Sequence, residues 1–593
     1  MKEKIFEFEY NKHSVSGQIS EACKYVTDNQ LKSSDTWHCF TNQFKNKSDS
    51  KNLTWRGEFW GKTMRGACMA YRVTKDRGLY EILEKTVIEI LDSKDECGII
   101  STYDSENEFC NWDLWCRKYV LLGLTSFYDI CDNADLKKRI ENAIVVNTDY
   151  IIEHIGSGSG KKEITETCGL WGAVNSCSIL IAVVAAYNLT KNKKYLDFAD
   201  YIVSRGGVRG DNLIEVAYEN KKKPSEYPVV KAYEVMSFFE GLSEYYKIVK
   251  NEKYMKAVCN FIRSVNENEI TVIGCAGCSG EVFNNGAISQ TEYSEIEMQE
   301  TCVAVTWALF CSRLYKMTAN VILADYIEKT YYNALLGAVN YENNPCYAKY
   351  EKKLVKPLPF DSYSPLVSSA RGKAVGGYQE LGDGGAYGCC ASIGAAGVFL
   401  IPLDNVMEKD DGLVFTYYCD GINEICYSGI KLKIITETCY PADGLINVSI
   451  ESGSKLNFNV YFRIPACANS ARAFMNGVEK TEITDGFARI PIEGKKCSIT
   501  LDFDIKLKEL RLNGKKSFTY GPICLAFDKS KNKGVDSYVL KEADINDFVR
   551  EKPETGESIR FSVKCGEIKV ILTDYCSCGR KWSEKDSIIN VWF

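Results

Sequence analysis

The stretch that decides the fold class is Asn192-Lys-Lys-Tyr-Leu-Asp-Phe-Ala-Asp-Tyr-Ile-Val203, and a second stretch of the same form is Asn251-Glu-Lys-Tyr-Met-Lys-Ala-Val-Cys-Asn-Phe-Ile262. In both, apolar residues recur at positions i, i+3, i+4 and i+7, which is the spacing of a helix with one buried face. Each stretch follows a short polar turn and, before that turn, a helix-like segment that ends in a tyrosine. The repeating unit is therefore predicted to be a helical hairpin.

The hairpin recurs along the chain as far as Leu400. Its intervals are longer than the ~20–50 residues of most solenoid repeats, and each interval holds two helices. With a last pair after Cys390, the units suffice for six hairpins, which can close into an (α/α)6 barrel whose inner helices line a central cavity. An open helical array is the alternative. The tyrosines that end the first helix of each unit are Tyr71, Tyr128, Tyr187, Tyr246 and Tyr315.

The spacing of apolar residues changes after Pro402–Gly412, which has the composition of a linker. Short segments of alternating or β-branched residues follow, separated by Gly, Asn and Asp, and this pattern is typical of β-sandwiches. The prediction is a multidomain α + β chain: an (α/α)6-barrel catalytic domain over 1–403, a C-terminal β-sandwich over 404–505, and a second sandwich or completion of the first over 506–593. The predicted strands include Leu413–Tyr418, Ile430–Ile435, Leu445–Ile450, Phe458–Ile464, Ile559–Val563 and Ile568–Leu572.

The composition excludes some classes of function. The 593-residue chain has a formal net charge of −6, with 26% charged and 45% hydrophobic residues, as in folded globular proteins. Lysine and arginine are dispersed, which argues against a nucleic-acid-binding surface. The N-terminus lacks the apolar core of a secretory signal, and the longest apolar stretch, Ile179 to Tyr187, is too short to cross a bilayer. We therefore expect a cytoplasmic protein without nucleic-acid or membrane partners.

Cysteine is abundant and histidine is scarce: the chain has 26 cysteines and three histidines, His13, His38 and His154. Without a secretory signal most of these cysteines are expected to be reduced thiols, many of them small buried hydrophobes. Catalysis is expected to avoid imidazole, and any metal site must be built from thiolate and carboxylate.

The densest group of metal-capable residues comes in two pieces. Glu300-Thr-Cys302 precedes an apolar helix, and the pair Cys389-Cys390 follows the glycine-rich stretch 382–388. Three thiolates and one carboxylate would make a four-ligand shell for Zn²⁺, and the glycines would let adjacent cysteines converge on one ion. The spacing alone leaves open that these are buried free thiols. A rival thiol pair, Cys275 and Cys278, has the spacing of a metal knuckle but no second pair nearby.

Carboxylates are frequent between Glu281 and Glu300, and most of them are expected on a solvated face. Glu281 differs because it lies in Ser279-Gly-Glu-Val-Phe283, between small and apolar residues. Desolvation in such surroundings can raise the pKa of a carboxyl group, as a general acid requires.

Several of these motifs together resemble those of a known protein family. Gly280-Glu-Val-Phe283, Glu300-Thr-Cys302 and Cys389-Cys390 together resemble glycoside hydrolase family 127 and its sister families, the β-L-arabinofuranosidases. The resemblance covers nearly the whole chain, and the Glu-x-Cys plus Cys-Cys combination is highly specific to the group. Other stretches similar to the family's motifs are Trp55-Arg-Gly-Glu-Phe-Trp-Gly-Lys62, Trp112-Asp-Leu-Trp-Cys-Arg-Lys-Tyr119, Lys231-Ala-Tyr-Glu234, Tyr331-Tyr-Asn-Ala-Leu-Leu-Gly337, Phe462-Arg-Ile-Pro465, Asn476-Gly477 and Tyr520-Gly-Pro522.

The resemblance implies a metal site and a catalytic pair. Glu300, Cys302, Cys389 and Cys390 would bind Zn²⁺, Cys389 would be the nucleophile, and Glu281 would be the acid/base. Because the two cysteines are adjacent, position alone does not say which one attacks, and the resemblance selects Cys389. Ordinary retaining glycosidases use a carboxylate as the nucleophile.

The chain departs from the founding members of the family in its sugar pocket. Their pockets use several histidines, whereas the corresponding motifs here carry Trp112 and Lys231. Glu58, Trp112 and Lys231 are therefore predicted to contact the substrate. A solvated carboxylate, a core aromatic and a surface lysine are the alternatives.

The predicted function is a retaining exo-glycosidase that releases terminal β-L-arabinofuranose or a related sugar from small glycosides or oligosaccharides. The alternatives are an inverting carboxylate-pair glycosidase with a structural zinc, and a non-catalytic carbohydrate-binding protein of the same fold. The expected partner is a carbohydrate substrate. A homodimer is also among the expected assemblies, since β-sandwich domains often supply dimer contacts.

Overall fold

The computed structural model describes residues 4–277, 281–292, 299–342, 358–381, 385–409, 411–581 and 587–593. Helices dominate as far as Leu403, and strands dominate after it. The longer helices are α1 (Gly17–Val26), α2 (Ser34–Lys45), α3 (Glu58–Thr74), α4 (Arg77–Asp92), α5 (Asp113–Ile130), α6 (Ala134–His154), α7 (Leu180–Thr190), α8 (Lys193–Ser204), α9 (Ala232–Val249), α10 (Glu252–Asn268), α11 (Thr301–Thr318), α12 (Ile322–Thr330) and α13 (Cys389–Val398). Shorter helices are Val174–Cys177, Leu213–Glu219, Gly286–Ser289 and Leu400–Leu403.

The two stretches that predicted the hairpin are helices α8 and α10. Each begins at an asparagine cap: the Asn192 side chain accepts a hydrogen bond from Lys194 N–H, and Asn251 does so from Lys253 N–H. Such caps satisfy backbone donors that the first turn leaves unpaired. Both helices bury one face only, as the sequence spacing predicted.

The odd-numbered helices from α3 to α13 form a closed inner ring. Each contacts the next in the series, and α13 returns to contact α3. The even-numbered helices α4 to α12 pack outside this ring, with α1 and α2 next to the junction of α13 and α3. The predicted (α/α)6 barrel is thus confirmed, and the closure of the ring excludes the open array.

The β region is organised in two large sheets. Within the described residues the first has 11 strands and the second has 8. The strands of the first are Ile5–Glu7, Lys12–Val15, Val406–Lys409, Gly412–Phe415, Gly421–Tyr427, Ile430–Thr438, Leu445–Arg463, Ala468–Met475, Val478–Glu479, Ile483–Thr484 and Phe487–Ile505. Those of the second are Ser369–Ala370, Leu507–Leu512, Lys515–Tyr520, Ile523–Asp528, Val549–Glu551, Arg560–Cys565, Ile568–Asp574 and Ile588–Asn590.

Both sheets contain strands from the barrel half of the sequence. Ile5–Glu7 pairs with Val406–Lys409, and Lys12–Val15 pairs with Gly421–Tyr427. Ser369–Ala370 pairs with the C-terminal strand Ile588–Asn590. The prediction that placed all of residues 1–403 in the barrel missed these strands, because segments of two to four residues are too short to show an alternating pattern.

Inner helix α7 continues an apolar run that begins before it. The run Trp171–Thr190 is long and apolar enough to cross a membrane. This corrects the sequence-based expectation, which considered only Ile179 to Tyr187 and found it too short. Of the most apolar window of the run, 72% is buried inside the protein. A helix that is apolar on all sides is expected at the centre of a barrel, where neighbours surround it.

The ring closes tightly where α3 meets its two neighbours. A Cβ atom on Gly61 would lie 1.8 Å from the Tyr119 carbonyl oxygen of α5, and one on Gly66 would lie 2.6 Å from the Ala396 nitrogen of α13. Only hydrogen fits at these two positions, so the helix backbones touch directly. This contact sets the spacing of three inner helices whose first turns carry the site described below.

We predict that Gly61→Ala destabilises the barrel by about 3 kcal/mol, because the added methyl group meets backbone and not a movable side chain. Urea denaturation followed by circular dichroism would measure the change. Gly453→Ala is the matched control, since a Cβ there meets nothing within 4 Å. An equal denaturation midpoint for the two variants would contradict the close helix contact.

Candidate active site

The first turns of the inner helices meet at one end of the barrel. Glu58 begins α3, Trp115 lies in the first turn of α5, Glu234 in that of α9, and Cys389 begins α13. All four line one cavity of about 240 Å³. Helix N-termini carry a partial positive charge, so they favour carboxylates and thiolates at this end of the barrel.

The sequence-predicted metal ligands come together in this end of the barrel. Cys302 Sγ lies 3.4 Å from Cys389 Sγ, and Cys390 Sγ lies 3.8 Å from both Cys389 Sγ and Glu300 Oε1. One ligand atom from each of the four residues falls within 4.8 Å of the others. Residues separated by almost ninety positions thus form one buried group of three sulfurs and one carboxylate.

The donor set fits a metal ion. Glu300 Oε2 is buried and has no hydrogen-bond partner among the described residues, although a buried carboxylate normally has several. Burial raises the pKa of the Glu300 carboxyl well above its usual range, and burial also raises that of the Cys302 thiol. A divalent cation would satisfy the free oxygen and offset the cost of ionising these groups, and thiolate with carboxylate is a ligand set that suits zinc.

The two adjacent cysteines differ in their access to the cavity. Cys389 is 8% exposed and lines the cavity wall, whereas Cys390 and Cys302 are 0% exposed. Gly377, with φ of +58°, lies over the Cys389 thiol, and a Cβ there would come within 2.4 Å of its Sγ. A glycine at this position therefore leaves room above the one sulfur of the group that faces the cavity.

Glu281 lines the same cavity, on a loop that precedes the short helix Gly286–Ser289 and lies beside the start of α9. The Tyr363 hydroxyl donates a hydrogen bond to Oε1 over 2.5 Å, and Lys231 donates to Oε2 in an ion pair. The backbone is held by Ala232 N–H, which donates to the Glu281 carbonyl oxygen. The apolar surroundings expected from the neighbouring sequence are thus incomplete, because both polar partners come from distant parts of the chain.

The three predicted substrate contacts, Glu58, Trp112 and Lys231, all line the cavity. Glu58 is buried and pairs with Lys62 over 2.8 Å, and Trp112 packs edge-on against Trp55. Lys231 is mostly buried beside Glu281 and is not a surface lysine. Desolvation alone would lower its pKa, but the surrounding carboxylates, Glu234 first among them, raise that pKa above its usual range.

Two family models match the sequence. The model for the β-L-arabinofuranosidase GH127 catalytic domain covers residues 12–351, and that for the GH127 middle domain covers residues 413–505. The chain belongs to glycoside hydrolase family 127. This GH127 protein is accordingly a glycoside hydrolase that acts on carbohydrate, and the cavity between Glu281 and Cys389 is its candidate active site.

Solved structures of the family share the fold of this GH127 chain. A GH127 β-arabinofuranosidase is 18% identical, with a TM-score of 0.74, and the match covers 100% of this chain and 98% of that one. A GH127 β-L-arabinofuranosidase from Geobacillus stearothermophilus T6 is 16% identical, with a TM-score of 0.70 and 97% of each chain covered. No curated protein matches the sequence.

The site also contains residues that the sequence did not single out. Tyr233 and Glu234 lie in the quoted motif that begins at Lys231, and Lys62 lies one helical turn after Glu58, so the spacing of the motifs could have found them. Tyr363 and Trp171 lie outside every quoted motif. Their proximity to Glu281 and Lys231 depends on how the loops fold over the barrel end.

Glu234 is a further polar group in the cavity wall. Its carboxyl is buried, its pKa is raised by desolvation, and its Oε2 has no hydrogen-bond partner among the described residues. A buried acceptor without a donor is costly, so a sugar hydroxyl that donates to this oxygen would be stabilised.

Other sequence candidates lie apart from this site. Cys275 is buried and does not line the cavity, and its Sγ lies 3.2 Å from the carbonyl oxygens of both Ala276 and Glu300. Its predicted partner Cys278 lies outside the described residues, as do Glu295 and Glu297.

We predict that Lys62→Met destabilises the protein by about 3–5 kcal/mol, because it leaves the Glu58 carboxylate buried without its cation. Lys62 Nζ also lies 4.6 Å from the Tyr233 ring centroid, so the ammonium group is enclosed on that side too. Urea denaturation would measure the loss, and adding Glu58→Gln should recover part of it.

The matched control for this prediction is Lys193→Met. Lys193 also pairs with an acid one turn away, Asp197, but both side chains are exposed, so solvent screens the pair and the loss should be much smaller than for Lys62→Met. A Lys62→Met variant as stable as Lys193→Met would contradict the importance of the buried pair.

Proposed function

We propose that this GH127 enzyme is a retaining exo-glycosidase that releases a terminal β-L-arabinofuranose or a related sugar from small glycosides or oligosaccharides. Cys389 is the nucleophile and Glu281 is the acid/base. One observation carries the proposal. Of the three sulfurs in the buried group, only that of Cys389 reaches the cavity, and Glu281 lines the same cavity. A nucleophile and a proton donor that line one enclosed space are the two parts that retaining hydrolysis needs.

Glu300, Cys302, Cys389 and Cys390 would hold Zn²⁺ in the proposed enzyme. Bound Zn²⁺ keeps thiols ionised near neutral pH, where a free thiol with a pKa of about 8.5 is largely protonated. Cys302 and Cys390, which are fully buried, serve as fixed ligands, whereas the partly accessible Cys389 is free to form a bond on its cavity side.

The reaction takes two steps. The Cys389 sulfur attacks the anomeric carbon as the glycosidic C–O bond breaks, and Glu281 gives its proton to the leaving oxygen. Water then attacks the same carbon, Glu281 accepts the water proton, and the C–S bond breaks to restore the thiolate. Two displacements at one carbon retain its configuration. Lys231 and Tyr363 each donate to one Glu281 oxygen in the structure, and these contacts position the carboxylate that accepts the water proton.

The size and lining of the cavity support a single sugar as the bound unit. About 240 Å³ lies below the roughly 300–1,000 Å³ of pockets that enclose drug-sized ligands. The cavity wall carries four glutamates and two lysines, which supply polar groups for the hydroxyls of a sugar. The β-L-arabinofuranose specificity rests on the family name and not on a contact in the cavity.

We predict that the purified enzyme contains one zinc ion per chain and releases L-arabinose from aryl β-L-arabinofuranosides. Elemental analysis would measure the metal, and proton NMR would follow the anomer released first. Removing zinc with a chelator should abolish release, and added Zn²⁺ should restore it. First release of the α-anomer would favour the inverting carboxylate pair with a structural zinc, and absence of hydrolysis with intact sugar binding would favour a binding protein.

We predict that two nearly identical substitutions have different effects. Cys389→Ser should abolish turnover while some zinc remains bound, because the other three ligands are intact. Cys390→Ser should act mainly by weakening metal binding, so that excess Zn²⁺ restores part of its activity. Zinc content and kcat measured over a range of added zinc would separate the two. Zinc-dependent rescue of Cys389→Ser, or labelling of a carboxylate by an electrophilic sugar analogue, would contradict the thiolate mechanism.

A further inference from the structure

Two large apolar side chains are exposed at the cavity opening. Leu170 is 49% exposed and Trp171 is 39% exposed, although both line the same cavity as Glu281 and Cys389. The other tryptophans that line it are less accessible, and Trp112 and Trp115 are buried. Exposed apolar groups that adjoin a polar cavity often mark a binding surface.

The backbone is held in an unusual conformation to present these side chains. Trp171, Gly172 and Ala173 all have positive φ values, of 49°, 58° and 62°. Residues other than glycine rarely adopt this region, and strain of this kind is concentrated at functional sites. Gly172 also packs so closely that a Cβ would lie 2.4 Å from Val208 Cγ2, so the turn tolerates no side chain there.

The turn is fixed on its inner side. Arg209 N–H donates to the Gly172 carbonyl oxygen over 2.8 Å, and the Arg209 guanidinium donates to the Cys168 and Thr165 carbonyl oxygens. Ala173 is completely buried. Leu170 and Trp171 are therefore attached to an anchored turn, which lowers the entropy lost when a ligand covers them.

Trp171 lies on the side of the cavity where the proposed acid acts. Its ring centroid is 5.9 Å from Lys231 Nζ, and Lys231 forms the ion pair with Glu281. An acid/base must reach the oxygen of the leaving group, so the leaving group passes the Glu281 side of the cavity. An exposed indole beside the lysine that pairs with that carboxyl group is therefore placed beside the leaving group and not beside the enclosed sugar.

We propose that Leu170 and Trp171 form the leaving-group subsite and bind leaving groups with a flat apolar face, either an aromatic ring or the C–H face of a second sugar. The inference rests on the proposed hydrolase function, because the leaving-group side is defined by the role of Glu281. Stacking on Trp171 would bind such groups at the cavity opening, next to the sugar held between Glu281 and Cys389.

The test compares three β-L-arabinofuranosides, with phenyl, L-arabinosyl and methyl leaving groups. Trp171→Ala should lower kcat/KM for the phenyl compound about 3- to 10-fold more than for the methyl compound, as expected for the loss of one aromatic contact. An equal selective loss for the disaccharide indicates a sugar face as a second ligand, and loss for phenyl alone restricts the subsite to aromatic rings. Equal effects on all three substrates would overturn the subsite.

Two further variants control this test. Trp171→Phe keeps a ring on the same turn and should retain most of the selectivity, which separates loss of the indole from misfolding. Tyr538→Ala removes an aromatic that is 65% exposed and does not line the cavity, and it should leave the substrate ratios unchanged. A change in those ratios in Tyr538→Ala as large as in Trp171→Ala would also overturn the subsite.

A second readout does not depend on turnover. In saturation-transfer NMR the phenyl protons of the phenyl glycoside should receive magnetisation from the wild-type protein and lose it in Trp171→Ala, while the sugar protons keep theirs. Persistence of the phenyl signal in Trp171→Ala overturns the subsite even if the glycoside is hydrolysed. Selective loss of that signal in a protein that hydrolyses none of the three compounds supports the subsite while the proposed hydrolysis fails.

Discussion

The contact between Gly61 of α3 and the Tyr119 carbonyl oxygen of α5 is the constraint on which the site depends. Because only hydrogen fits between these backbones, the helices lie closer than side chains would allow, and Gly66 likewise brings α13 close to another face of α3. The first turns of three inner helices therefore converge at one end of the barrel. A looser ring would separate Glu58 and Lys62 on α3 from the aromatic residues of α5 and from Cys389 on α13.

The convergence of these helices brings acidic side chains and thiols together in a buried site, where their ionised forms cost free energy. Several features of the structure offset this cost. The helix N-termini point partial positive charge at the cavity. Lys62 and Lys231 place positive charges beside Glu58 and Glu281. Desolvation would lower the pKa of Lys62, but the negative groups around it, Glu58 first among them, together raise that pKa well above its usual range. Glu300 Oε2 has no hydrogen-bond partner among the described residues, and this is where the donor set fits a metal ion.

The polar inner cavity and the apolar opening have different roles: the inner cavity binds the sugar, and the opening binds the leaving group. The inner part contains acids and lysines that suit sugar hydroxyls, and Glu234 is an example of an acceptor for which the described part of the chain supplies no donor. The opening carries Leu170 and Trp171 on an anchored turn. Interactions near the reacting carbon then depend on hydrogen bonds, whereas interactions with the leaving group depend on surface contact, so the two parts can be changed separately by mutation.

The sequence by itself determined the helical hairpins, because an apolar spacing and an asparagine cap act within a few residues of each other, as at Asn192 and Asn251. It also determined the four metal-capable residues through two compact motifs. Only the tertiary structure decided that Cys389 and not Cys390 faces the cavity, since both have the same neighbours in sequence. Two other contacts likewise depend on the tertiary structure. They are the ion pair between Lys231 and Glu281 and the pairing of strand Lys12–Val15 with strand Gly421–Tyr427. Such contacts join residues far apart in the chain, so their formation depends on the geometry of the whole barrel and leaves no local pattern.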